Sequence, residues 1–257
     1  MPSQLPSRDE LRWTFEGVAE LYDRARPAYP PALLDEVAAL GPRILELGPG
    51  TGQATRALVE RGADVTAVEL GSSLATIATR NVPEAVILVA DFDTWEPEQA
   101  EFDAVVAFNS FHWLDPDTKY TKVARLLRPG GALAVVEVDY VTVAGGDPFW
   151  SEVREDYETV LPEVDFSVPP PEEAIGDLRS ELEASGVFRE TDIRRYRWDI
   201  AFTADQWVDV LGTLSPNIAV GTAKTDPLFA RIRARIAARP TGGITQHLLS
   251  TLNIGRT

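Results

Sequence analysis

The sequence predicts an open α/β sheet with helices on both faces, and three observations carry that prediction. Apolar runs of strand length alternate with helix-compatible segments through the first half of the chain. The first of these runs, Ile44 to Leu47, stops at the alternating glycines Gly48, Gly50 and Gly52, and helix-compatible sequence follows, beginning near Thr51. Such a strand, tight turn and helix start lets backbone approach a ligand closely and aims free N–H groups at it. The next apolar strand, Asp64 to Glu69, ends in a carboxylate roughly twenty residues past the glycines, where an acid accepts hydrogen bonds from the ribose of a bound nucleotide.

The remaining elements follow in order. Ahead of the first strand, Trp13, Phe15, Val18, Leu21 and Tyr22 fall at roughly helical spacing, Arg26 to Pro31 breaks the chain, and a helix restarts over Ala32 to Leu40. This segment, 1–41, reads as a helical cover over the strand ends. A third apolar run, Ala85 to Ala90, leads into Asp91-Phe92, and Phe102 to Phe108 reads as a fourth, buried strand running into Asn109-Ser110-Phe111-His112-Trp113-Leu114-Asp115. Loops after the strands form the ligand face of an open parallel sheet, so this last segment belongs beside the chemistry. Leu126 to Gly131 ends a helix and turns through Arg128-Pro129-Gly130-Gly131 into a fifth strand, Ala132 to Val138, which completes a cofactor-binding core over 42–140.

Beyond it the chain is irregular and acidic. Gly145 to Pro148 and Val168 to Pro171 bracket a helix over Phe149 to Val160, and the prolines part it from a second helix over Glu172 to Ser185. The segment 141–186 reads as a lid insertion, with Phe149, Trp150, Tyr157 and Phe166 either lining a pocket or packing a small satellite core. Over 187–257 the pattern supplies a strand from Thr191 to Ile200, helices over Ala204–Leu211 and Asp226–Ala238, and a strand from Ile244 to Ile254. One domain of 257 residues, 44% hydrophobic, can bury a sizeable core.

Composition narrows the function classes. A formal charge of −16 repels phosphate backbones, and the alternation in Arg194-Arg195-Tyr196-Arg197-Trp198 reads as a strand with one solvated face, so no nucleic-acid partner is expected. The chain has no cysteine, which excludes disulfides, thiolate nucleophiles and cysteine-ligated zinc; its two histidines, His112 and His247, are far apart, so no metal site is expected. His247 falls in the final strand and reads as structural. With no signal-like start and no apolar span near eighteen residues, the expectation is a cytoplasmic protein without a membrane partner. Oligomeric state is not legible.

The glycine spacing decides between cofactors. A nicotinamide or flavin fingerprint requires a further glycine at position 53, which is Gln53. The heptad Glu46-Leu47-Gly48-Pro49-Gly50-Thr51-Gly52 instead resembles the acidic-x-Gly-x-Gly-x-Gly signature of class I S-adenosylmethionine-dependent methyltransferases, and the Arg-Pro-Gly-Gly turn before the fifth strand is similar to another of their hallmarks. The run from Phe15 to Pro30 looks like the start of a bacterial small-molecule subgroup related to trans-aconitate methyltransferases.

The resemblance implies a Rossmann-like doubly wound sheet of seven strands in order 3-2-1-4-5-7-6, the last antiparallel. It implies S-adenosylmethionine as cofactor, released as S-adenosylhomocysteine. Glu46, Gly48, Gly50 and Gly52 then belong to its loop and Glu69 to its ribose; Asp91 serves the adenine amino group, or caps the next turn, and Phe92 lies against the ring. Tyr22 and Arg26 match a tyrosine and arginine that close over the methionine end, and Asn109 presents backbone near the same end or only turns the chain. His112 stands where a general base is needed for a hydroxyl or enolisable carbon acceptor. The expected activity is methyl transfer to a small molecule, oxygen favoured. The alternatives are a cofactor-binding protein without methyl transfer and, on fold analogy, a nicotinamide-dependent oxidoreductase.

Overall fold

The computed structural model describes residues 12–97, 101–162, 164 and 166–257. In chain order the helices are α1 (Ala19–Ala25), α2 (Pro31–Ala38), α3 (Gln53–Val59), α4 (Ser72–Asn81), α5 (Lys119–Leu126), α6 (Phe149–Val160), α7 (Arg179–Ala184), α8 (Ala204–Leu211), α9 (Ser215–Val220) and α10 (Thr222–Ala237). The strands are β1 (Arg43–Leu47), β2 (Asp64–Glu69), β3 (Val86–Val89), β4 (Phe102–Phe108), β5 (Leu127–Val141), β6 (Glu190–Thr203) and β7 (Gly243–Arg256). They form one seven-stranded sheet in the order β3-β2-β1-β4-β5-β7-β6, with the last strand antiparallel. The register of the parallel part sets Leu45 opposite Thr66 and Val105, and Val105 opposite Leu133.

Contacts gather the chain into two compact units. The sheet unit comprises Pro27–Val138, Gly176–Tyr196 and Ser250–Thr257; the helical unit comprises Asp139–Ile175, Arg197–Leu249 and the described part of Met1–Arg26. In the sheet unit, successive strand residues point to opposite faces. Ile44, Val65, Ala104, Val106, Ala132 and Ala134 meet Leu33, Leu34 and Val37 of α2 and Ala54 and Leu58 of α3. Leu45, Leu47, Val105, Leu133 and Val135 meet Val123 and Leu126 of α5 and Leu182 of α7 on the other side. Both faces are therefore covered, which is why β1 and β4 read as continuous apolar runs rather than alternating ones.

The helical unit has its own core. Phe149, Val153 and Tyr157 of α6 and Leu228, Ile232 and Ile236 of α10 recur every fourth residue and pack with Trp207, Val210 and Leu211 of α8. Phe149 and Tyr157 are buried there with Trp150 and Phe166 packed beside them, the satellite-core arrangement. No helix among the described residues is long and apolar enough to cross a membrane.

Several boundaries differ from the sequence expectation. The helix expected over Glu172 to Ser185 is a 3-10 turn, Glu172–Ala174, and the separate α7, because Asp177 turns the chain and accepts the Arg179 N–H at 3.0 Å. Helix α10 begins at Thr222, four residues early, with Pro227 inside it, where proline supplies no N–H to the Ala223 carbonyl one turn before it. Helix α9 was not expected. β5 begins at Leu127: Phe102 pairs with Leu127 and Ala104 with Ala132, so Arg128–Gly131 bulge from a strand that resumes. The N-terminal apolar spacing holds a 3-10 turn, Thr14–Val18, before α1, rather than one helix.

Candidate functional site

The glycine loop is held by its neighbours in the sheet unit. Gly48, Gly50 and Gly52 have φ of +67°, +60° and +92°, values that an L side chain rarely adopts. Gly48 has a second reason to lack a side chain: its Cβ would lie 2.8 Å from Cβ of Ser110, whose hydroxyl donates to the Leu47 carbonyl at the end of β1. α3 starts at Gln53, not Thr51, because the Gly52 N–H closes a turn onto the Pro49 carbonyl at 3.0 Å. Thr51 is fixed instead through its carbonyl, which accepts from Asn81 Nδ2 at 3.0 Å, and its hydroxyl, which accepts from Gln53 Nε2 at 2.8 Å.

Two carboxylates stand at adjoining strands beside this loop. Glu69, at the end of β2, is 6% exposed; Oε2 accepts the Gly50 N–H and Oε1 the Gly71 N–H, each at 2.9 Å. Glu46, inside β1, is 1% exposed; Oε2 accepts the Thr55 hydroxyl at 2.7 Å, and Oε1 is buried with no partner among the described residues. Burial pushes the Glu46 carboxyl up to about 7 against the pull of the Thr55 hydrogen bond, and the Glu69 charge pushes the same way. A buried pair of acids with an unsatisfied oxygen, beside a loop without side chains, fits a ligand that brings positive charge and hydroxyl donors. S-adenosylmethionine has both, in its sulfonium and ammonium groups and its ribose.

The raised Glu46 value makes a stability prediction. The folded chain keeps a proton there that the unfolded chain releases around pH 4.5, so this group contributes fully at lower pH and its contribution is lost as pH rises to about 7. Glu46→Gln is expected to flatten the fall in thermal midpoint across that window. An identical pH dependence in the two proteins would refute the buried proton.

The other expected residues are placed as follows. Asp91, after β3, accepts the Asp93 N–H at 3.1 Å and so caps the turn; Phe92 is 4% exposed, packed with Leu45, Leu47 and Val68 under the Lys122 ammonium, 5.1 Å from its ring centre. Asn109 sits at φ +54°, its N–H donating to the Val136 carbonyl at 2.9 Å and its Oδ1 accepting the Val138 N–H at 2.8 Å. The Asn109 amide proton and side-chain oxygen thus extend the β4–β5 ladder. His112 lies on a 3-10 turn, Phe111–Trp113, exposed, with its ring 4.6 Å from that of Trp113 and no hydrogen bond among the described residues. Desolvation by the protein around it holds the imidazole below its ordinary value, and the Lys119 ammonium adds to this. His247, by contrast, has its Nδ1 2.7 Å from Asp199 Oδ1, in the helical unit. Tyr22 and Arg26 lie in the helical unit against each other, the guanidinium carbon 4.9 Å from the ring centre.

A family model described as a methyltransferase domain matches residues 45–135, the span that contains the loop, both acids and His112. An uncharacterized methyltransferase of Mycobacterium bovis is 32% identical over 168 residues, which cover 60% of this chain and 82% of that protein. The chain belongs to the class I S-adenosylmethionine-dependent methyltransferase family. The chain spans about half the length of other curated relatives it matches. It covers 54% of a second Mycobacterium bovis methyltransferase, 37% identical over 131 residues and 51% of this chain, and 44% of the trans-aconitate 2-methyltransferase of Delftia acidovorans, 32% identical over 119 residues and 44% of this chain. Its fold is that of a putative type II methyltransferase from Anaeromyxobacter dehalogenans, with a TM-score of 0.62 and 24% identity over 90% of this chain and 97% of that one.

Sequence reasoning missed the residues that support the loop and its two acids. Ser110 ties the end of β1, Thr55 holds Glu46, and the Gly71 N–H holds Glu69. Thr55 follows Glu46 by nine positions and carried a readable signal, a hydroxyl on the first turn after the glycine loop; Ser110 is 63 residues from its partner and carried none.

Proposed function

We propose that this chain transfers the methyl group of S-adenosylmethionine to an oxygen of a small-molecule acceptor. The observation that carries the reading is the pair of buried acids, Glu46 and Glu69, at the side-chain-free loop between β1 and α3. When bound, the cofactor supplies a methyl group already activated by positive sulfur. Glu69 accepts from the ribose hydroxyls, and Glu46 adds negative charge beside the loop. Gly48, Gly50 and Gly52 let backbone approach, and Asp91 and Phe92 serve the adenine. With an activated donor, alignment and exclusion of water are the main tasks of the protein.

His112 takes the proton when the acceptor is a hydroxyl. Its depressed value keeps the imidazole neutral, and so able to accept, below the ordinary 6.5. His112→Ala is expected to leave S-adenosylhomocysteine affinity unchanged and to lower turnover, and the acid limb of the wild-type pH–rate profile should fall below pH 6.5. Full turnover in that variant would remove the base role. The surface charge of −16 supports a small acceptor over a nucleic acid.

The deciding experiment is calorimetric titration of ligand-stripped protein with S-adenosylmethionine, S-adenosylhomocysteine and the nicotinamide cofactors. Micromolar binding of the first two alone supports the proposal; binding of a nicotinamide alone overturns it. Formation of S-adenosylhomocysteine in an acceptor screen then separates methyl transfer from mere binding.

A further inference from the structure

The His112 side chain makes no hydrogen bond among the described residues, so the backbone turn that carries it decides where the imidazole stands. That turn is short. Within it the Trp113 N–H donates to the Ser110 carbonyl at 3.0 Å and the Leu114 N–H to the Phe111 carbonyl at 3.3 Å, and Phe111 is sunk in the core, 2% exposed. A single 3-10 turn is too weakly bonded to hold a direction alone, and its ends are tied to segments that flank the candidate site. Ahead of it the Ser110 hydroxyl donates to the Leu47 carbonyl, next to the glycine loop. Behind it the Asp115 N–H donates to Asp93 Oδ1 at 3.1 Å.

Asp93 belongs to the segment after β3. Its N–H donates to Asp91 Oδ1 at 3.1 Å, and its carbonyl accepts from Lys122 Nζ at 3.3 Å. The Lys122 side chain, 5% exposed, also lies 5.1 Å from the Phe92 ring centre, so α5 grips this segment at two places. Asp115 is held on its other side as well, its carbonyl accepting the Lys119 N–H at the start of α5 at 2.9 Å. A carboxylate that accepts a backbone N–H is a strong single tie; here it joins two loops that lie 22 positions apart in sequence. All of these residues belong to the sheet unit.

We infer that Asp93 is a positioning residue for His112, tying the turn that carries the imidazole to the segment beside the adenine, so that filling the cofactor site adjusts the imidazole. A donor brought to Asp91 by the adenine draws on the carboxylate that now holds the Asp93 N–H, and the change passes through Asp93 to the Asp115 N–H. This rests on the methyl-transfer reading above, in which Asp91 and Phe92 serve the adenine and His112 takes the proton.

NMR of isotope-labelled histidine side chains in the full chain tests it. The chain has two histidines, and His247, in the helical unit with its Nδ1 2.7 Å from Asp199 Oδ1, is the internal reference that certifies each variant as folded. Saturating S-adenosylhomocysteine is expected to move the His112 ring signals of the wild type and leave those of His247 in place. Asp93→Ala should abolish that response while its S-adenosylhomocysteine affinity, measured by calorimetry, stays within about threefold of wild type. Asp93→Asn keeps an acceptor oxygen for the Asp115 N–H and should keep the response. This pair separates a tie from a field, because both variants remove the charge of Asp93 and only alanine removes the acceptor. Already in the free proteins, the His112 signals of Asp93→Ala should depart from wild type further than those of Asp93→Asn. A wild-type His112 that ignores bound S-adenosylhomocysteine, an Asp93→Ala protein that responds as wild type does, or an Asp93→Asn protein as unresponsive as Asp93→Ala overturns the inference. Failure of the wild type to bind S-adenosylhomocysteine would strike the methyl-transfer proposal instead, and the His112 signals of the free variants would still decide whether Asp93 sets the turn.

Discussion

Glu69→Ala is expected to weaken binding of S-adenosylhomocysteine by about tenfold or more, since a charged acceptor for hydroxyl groups contributes roughly 1.5–3 kcal/mol. Two losses act together. The ribose loses its acceptor, and the Gly50 and Gly71 N–H groups lose the oxygens that fix the loop in the free protein. The carboxamide of Glu69→Gln keeps one acceptor oxygen, so its affinity should fall between wild type and the alanine variant. Calorimetric titration at one pH measures all three, and unchanged affinity in Glu69→Ala would sink the assignment.

The largest stability effect is expected in the helical unit. The Asp156 side chain on α6 is 2% exposed and meets two arginines of α10: Oδ1 accepts from Arg231 Nε at 3.1 Å, and Oδ2 from Arg235 Nε at 2.7 Å. Burial alone would raise its pKa; hydrogen bonds and charge from Arg235 and Arg231 overcome that and hold it below the ordinary carboxylate range. Removing one partner of a buried ion pair costs about 3–5 kcal/mol, and partial exposure of the arginines lowers the figure here to about 2–4. Asp156→Ala should therefore lower the thermal midpoint by about 5–10 °C, while Arg231→Ala, at a half-exposed partner, should cost under about 1 kcal/mol. If the two variants melt together, the buried carboxylate is not the anchor it is taken to be.

The parts of the fold legible in the sequence are those that local chemistry controls. β1, β2 and β4 are buried on both faces, so their apolar runs stand out; α8 was bounded correctly, and Thr203 and Gln206 form a reciprocal capping box at its start. The failures have equally local causes. Pro129-Gly130-Gly131 has the residues of a turn, yet neighbouring Asp103 holds Arg128 and β5 continues through the bulge. Pro227 looks like a helix start because nothing in the sequence marks Gly221, at φ +88°, as the true boundary.

The candidate site divides the same way. Three glycines at positive φ, an acid just before them in β1 and an acid at the end of β2 are readable because few residues serve in those places. Ser110 against Gly48, and the hydrogen bonds that commit Asn109 to β5, arise only when distant segments meet.

Glu46 leaves a thermochemical trace. Near neutral pH the free protein holds a fraction of a proton on this carboxyl, and a bound cation that favours its ionised form must expel that proton into solution. The heat of binding then includes the protonation of whatever buffer receives it. Titrations at pH ~7 in buffers of low and high ionisation enthalpy are expected to differ in apparent ΔH in proportion to the protons released, and the difference should vanish in Glu46→Gln. The site would thus report its occupant's charge through the buffer, before any acceptor is known.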